Sequence, residues 1–104
     1  MPFSRARVES NDLGYDRIMP IVSAFFGIIV RMYFDDHAPP HFHVEHQGQD
    51  AVVGFDGRII AGEIGSSTAR RLIREWAVLR RAELEINWKR AKKLQALQSI
   101  APLD

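Results

Sequence analysis

The chain contains no cysteine, which removes disulfide cross-links and thiolate metal ligands from any account of its stability or chemistry. It also lacks a long apolar run. The longest, from Ile21 to Phe34, is broken by Ser23 and Arg31 and falls short of the roughly 18 to 20 residues that cross a bilayer as a helix. The basic residues near Met1 are followed by neither an apolar stretch nor a small-residue cleavage pattern. No secretory signal or membrane association is read, and the expected location is the cytoplasm. A glycine-rich phosphate loop, a Ser-His-Asp order and a paired-carboxylate spacing are likewise missing.

What is present fits one small globular domain: 104 residues, 46% of them apolar, near the low end of sizes that bury a self-sufficient core. The formal net charge of +1 hides an asymmetry. From Asp35 to Glu63 the chain carries Asp35, Asp36, Glu45, Asp50, Asp56 and Glu63 against Arg58 alone. From Ser66 to Lys93 it carries Arg70, Arg71, Arg74, Arg80, Arg81, Lys89, Arg90, Lys92 and Lys93 against Glu75, Glu83 and Glu85. A split of this kind marks either an acidic partner such as nucleic acid or the solvated face of an arginine-rich helix. Arg70, Arg71, Arg74, Lys89 and Arg90 are the candidate nucleic-acid contacts.

The pattern predicts an α+β fold, an antiparallel meander of about four strands followed by a bent or two-piece C-terminal helical segment. Residues 1–18 are polar and aperiodic and are expected to be a flexible extension; residues 19–104 form the domain. From Gly27 to Phe34, Ile28, Val30, Met32 and Phe34 alternate with Ile29, Arg31 and Tyr33, the period of a half-buried strand. Pro39 and Pro40 cannot sit inside a central strand and mark a connection, with one cis bond a possibility that X-Pro bonds allow. A second strand follows from His41 to His46, a third from Asp50 to Asp56, and a fourth from Arg58 to Ile64. Asp56-Gly57 is read as a type I′ hairpin turn. Ser66 or Ser67 is the candidate N-cap of a helical stretch that reaches about Leu97 without Pro or Gly. Its apolar stripe (Ala69, Leu72, Ile73, Trp76, Leu79) is rotated by roughly a quarter turn from the later one (Leu84, Trp88, Ala91), which predicts a break between Arg80 and Glu83.

The segment Asp36-His37-Ala38-Pro39-Pro40-His41-Phe42-His43-Val44, with Phe25-Phe26-Gly27-Ile28, Arg31-Met32-Tyr33, Glu75-Trp76, Asn87-Trp88 and the Ile100-Ala-Pro-Leu103 end, resembles a small bacterial family catalogued as domain of unknown function number 4160. The resemblance runs over most of the chain from Met19 onward and leaves out the first 18 residues. It implies no established biochemistry. Members are often encoded beside another small protein in an arrangement similar to toxin–antitoxin pairs, which implies a protein partner from a neighbouring gene and, in this reading, action on RNA.

All four histidines fall within ten residues, His37 to His46. On a strand His41 and His43 project from one face, with Arg31 and Tyr33 expected beside them and Glu45 continuing the row. Three roles fit. The imidazoles serve as acid and base in metal-free RNA cleavage, with Arg31 on the phosphate and Tyr33 positioning it. Alternatively they hold a divalent transition-metal ion, as in a metal-binding protein or metal-dependent hydrolase, with a further ligand from His37, Glu45 or Asp36. Or their ring N–H groups bond the carbonyls left over at the proline connection, and the protein is an interaction module. With the helices on the Ile28/Val30/Phe42/Val44 side, the histidines are expected on the opposite side of the sheet, away from the basic helix. The open face, carrying Ile29, Tyr33 and Val52, would then suit a homodimer contact.

Overall fold

A computed structural model describes residues 19–104; the extension expected over residues 1–18 lies outside the described residues. Five strands, β1 (Ile21–Phe25), β2 (Ile28–Arg31), β3 (His41–His46), β4 (Gln49–Gly54) and β5 (Ile59–Gly62), precede two helices, α1 (Ser67–Leu79) and α2 (Arg81–Lys92). The strands form one antiparallel sheet in the order β1-β2-β3-β4-β5. The α+β meander is therefore as expected in class, with one strand more at its start.

That extra strand arises from a turn inside the Ile21–Phe34 run. Phe26 and Gly27 adopt φ of 49° and 77°, the left-handed pair of a type I′ hairpin, and Gln47 and Gly48 repeat it between β3 and β4 with 48° and 79°. A bulge between Ile21 and Ser23 interrupts the alternation, so that Val22 and Ser23 are both buried. The Asp56-Gly57 turn differs from expectation. Only Gly57 has positive φ (87°); Gly54 N–H donates to the Arg58 carbonyl and Gly57 N–H to the Gly54 carbonyl, a type I turn ending in a left-handed glycine. Packing decides it. Phe55 is buried in the core, and a Cβ on Gly57 would stand 2.8 Å from the Arg74 Cα in α1.

The helices cover one face of the sheet. Ile28, Val30, Phe42, Val44 and Val53 are fully buried against Ile73, Trp76 and Leu84. The Trp76 ring lies 5.5 Å from Phe25 and 5.4 Å from Phe42; burying side chains of this size contributes about 1.5–3 kcal/mol each. Ser66 caps α1, its Oγ accepting from Ala69 N–H at 3.0 Å. The helices part at Arg80 (φ −107°, ψ 21°), within the span where the two apolar stripes disagree. Leu79, placed in the first stripe by sequence, is exposed, and Ala77 is buried instead. α2 stops at Lys92 rather than near Leu97. Leu94 takes φ 57° while Leu94 N–H donates to the Ala91 carbonyl and Gln95 N–H to the Arg90 carbonyl, the paired closure of a Schellman ending. The last residues return across the helices, Ile100 N–H donating to the Val22 carbonyl at 2.8 Å. Among the described residues no helix is long and apolar enough to cross a membrane.

Candidate functional site

The connection between β2 and β3, residues 32–40, folds back over the start of β3. Met32 anchors its first residue in the core. Asp35 has positive φ (52°), and its N–H donates to the Ala91 carbonyl of α2 at 3.1 Å. Lys92 Nζ donates to the Asp36 carbonyl. The Ala38–Pro39 bond is cis, and the Pro39 carbonyl accepts from His41 Nδ1 at 2.7 Å. Asp36 is thereby carried to the histidines of β3. Its Oδ2 lies 2.8 Å from His41 Nε2 and 3.2 Å from His43 Nε2. The three side chains can each offer one ligand atom, all within 4.8 Å of one another.

The surroundings are half enclosed. The His41 side chain is 7% exposed, Asp36 12% and His43 22%. The His41 ring packs on Trp88 of α2 at 5.4 Å, and Tyr33 stacks on His43 at 4.1 Å with the planes 16° apart. His43 faces Arg31 and Val52 across the sheet.

A carbonyl oxygen has no proton to give, so His41 Nδ1 carries the hydrogen in its contact with Pro39. Nε2 then points at a carboxylate oxygen, another acceptor. Either that nitrogen carries a second proton, or the two atoms would part to ligate one cation. Burial works to raise the Asp36 pKa, but the His43 hydrogen bond, the charge of His41 and the His37 N–H bond outweigh it and hold the carboxyl below its ordinary value. The group is thus kept as an anion facing imidazole nitrogens.

The other residues singled out in the sequence are distributed around this centre. His37 is 93% exposed, its Nδ1 3.5 Å from Asp36 Oδ1. Glu45 is engaged by Arg31 Nε at 2.9 Å, and Arg31 Nη1 donates to the Met19 carbonyl at 2.7 Å. Arg70 caps the Ile64 and Gly65 carbonyls, Arg71 pairs with Glu75, and Arg90 donates to the Ala96 carbonyl. Arg74 backs the Gly57 turn, and Lys89 lies exposed on α2. The expected separation of histidines and basic helix does not hold. The last turn of α2 reaches the site within one chain, through Trp88, Ala91 and Lys92. In the sequence Asp36 is only one of several candidate third ligands, Trp88 belongs to an apolar helical stripe, and nothing links Lys92 to the site. Nothing in periodicity could join Lys92 to a residue 56 positions earlier.

A family model described as domain of unknown function, DUF4160, matches residues 27–89. That stretch runs from the first hairpin turn to the residue after Trp88 and contains Asp36, His41 and His43. No curated protein and no solved structure matches the chain.

Proposed function

The chain belongs to the DUF4160 family of unknown function, and from the convergence of Asp36, His41 and His43 we propose that it binds a divalent transition-metal ion at this point. The observation that carries the proposal is the double approach of His41 Nε2 and His43 Nε2 to one carboxylate oxygen, at 2.8 and 3.2 Å. Two ligands about 2.0 Å from a tetrahedral zinc ion are separated by about 3.3 Å, and the two contacts with Asp36 Oδ2 lie within about half an ångström of that spacing; the set as a whole, within 4.8 Å, would have to draw in around an ion. The Nδ1–H of His41 already donates to a backbone carbonyl, the outer contact that fixes tautomer and ring plane in metal-bound histidines. A His-His-Asp set without thiolate suits zinc, iron(II), nickel or manganese.

The chemistry follows from the ligand count. Asp36, His41 and His43 would hold the ion and leave room for a further ligand, and the ion would supply Lewis-acid activation of water, the chemistry of metal-dependent hydrolysis. Metal-free acid–base cleavage of RNA by the same histidines gains less support, because the Nε and Nη1 groups of Arg31 are occupied by Glu45 and Met19.

The test is metal content and zinc titration of protein purified without chelators. About one ion per chain is expected, with affinity lost by at least about 100-fold in Asp36→Asn and His43→Ala. A wild-type protein that retains no metal and gives no binding heat defeats the proposal. Cleavage of an RNA oligomer by wild type in excess chelator, abolished in His43→Ala, transfers the histidines to the metal-free role.

A further inference from the structure

The last turn of α2 does more at this centre than close the core. We propose that Lys92 is a positioning residue for the metal site, holding Asp36 in reach of the two imidazoles; the proposal rests on the metal reading above. Asp36 belongs to a nine-residue connection, 32–40, with no regular structure between β2 and β3. Its main chain is tied on both sides to one short piece of helix. Asp35 N–H donates to the Ala91 carbonyl at 3.1 Å, and the Asp36 carbonyl accepts from Lys92 Nζ. A carbonyl held by a charged donor makes one of the stronger neutral-to-charged hydrogen bonds, and here it fixes the peptide from which the ligand carboxylate springs.

The ammonium is itself placed. Lys92 Nζ stands 5.3 Å from the centroid of the Trp88 ring, within the range of a cation–π contact, and the same ring packs on His41. One indole therefore touches a candidate ligand on β3 and the cation that restrains another candidate ligand in the loop. Trp88 and Lys92 are four residues apart, so they lie together on the helix surface. The restraint has a reason in the backbone. Asp35 is a non-glycine residue with left-handed φ, a conformation that persists only where neighbours impose it. Lys92 is exposed and makes no ion pair among the described residues. Its contacts are with the site rather than with a carboxylate on its own helix.

The experiment compares wild type, Lys92→Met and Lys92→Arg. Methionine keeps length and helix propensity but cannot donate, whereas arginine restores a charged donor. Zinc affinity by chelator competition, the visible spectrum of the cobalt(II)-substituted protein, and the thermal midpoint of the metal-free protein are read for each. Lys92→Met is expected to weaken zinc about tenfold, the lower end of effects from outer contacts of metal ligands, and to alter the cobalt spectrum. Lys92→Arg is expected to recover most of the affinity, and the metal-free midpoint of each variant serves to show that it is folded. Equal zinc affinity and cobalt spectra in wild type and Lys92→Met overturn the positioning role while leaving the metal site standing. An arginine variant as weak as the methionine variant overturns it too. Absence of zinc binding by wild type overturns both readings, and that result is recognisable before any variant is made.

Discussion

Two opposing effects act on the Asp36 carboxyl. Burial favours its neutral form, while the hydrogen bonds from His43, His41 and the His37 N–H, with the charge of the His41 ring, favour the anion and prevail. A carboxyl with a lowered pKa binds a proton less readily in the folded chain than in the unfolded one. The stability it contributes is therefore complete above the ordinary aspartate value of about 3.9 and is lost as pH falls through the lowered folded value. In urea titrations of chelator-treated protein, the wild-type midpoint should fall between about pH 5 and about pH 2.5 more steeply than that of Asp36→Asn, which has no carboxyl to titrate there. Parallel falls in the two proteins would mean that the site's hydrogen bonds give the anion no net advantage over the unfolded chain. The Arg31–Glu45 pair is a poor place to look for such an effect. It is close, at 2.9 Å, but Glu45 is half exposed, and exposed pairs contribute about 0–1 kcal/mol.

At the scale of the element, the end of α2 carries a cost that can be removed. Leu94 occupies the left-handed position of the Schellman ending, where glycine is the usual residue because a Cβ costs about 1–2 kcal/mol there. Leu94 is 69% exposed, so little packing is lost with its side chain. Leu94→Gly should stabilise the protein by about 1 kcal/mol, which for a domain of this size is about 4–8 °C in thermal midpoint; a lower midpoint would show that Leu94 is held by contacts worth more than its backbone strain. This helix end also marks where sequence reading reaches its limit. Periodicity places a break between Arg80 and Glu83, because the Ile73/Trp76 and Leu84/Ala91 stripes cannot face one core on a straight helix, and the helices part at Arg80. It did not locate the stop at Lys92, because the residue in the terminating position is not a glycine. β1 was hidden for a related reason: the Val22–Ser23 bulge breaks the two-residue period, and Phe26-Gly27 interrupts an otherwise apolar run. In the site, His41 and His43 are legible as strand neighbours two residues apart. Asp36 joins them through a proline-bearing connection whose path is set by Ala91 and Lys92, and no local rule reaches that far.

At the scale of the whole molecule, the C-terminal residues close what the sheet and helices leave open. β1 is an edge strand, and its outer side receives Ile100, whose N–H bonds the Val22 carbonyl and whose side chain is buried; covering an edge in this way removes a template for aggregation. Asn87 of α2 is fully buried and grips the same segment, its Nδ2 donating to the Gln98 carbonyl and its Oδ1 accepting from Gln98 N–H, both at 2.9 Å. Trp76 Nε1–H adds a third tie, to the Ala101 carbonyl at 2.9 Å. The polar groups of Asn87 and Trp76 are thus satisfied by the tail and by no sheet residue, so tail docking and core packing depend on each other. Asn87→Ala should cost about 2 kcal/mol, since it removes two buried hydrogen bonds, and Ile100→Ala about 2–4 kcal/mol. If the tail docks as one cooperative unit, either substitution already loosens it, and the double variant should lose less than the sum of the single losses by more than about 0.5 kcal/mol. Urea denaturation of the four proteins closes the cycle. Additive losses would mean that the Gln98 and Ile100 contacts form independently, and the tail would then be a pair of separate attachments rather than a single closing element.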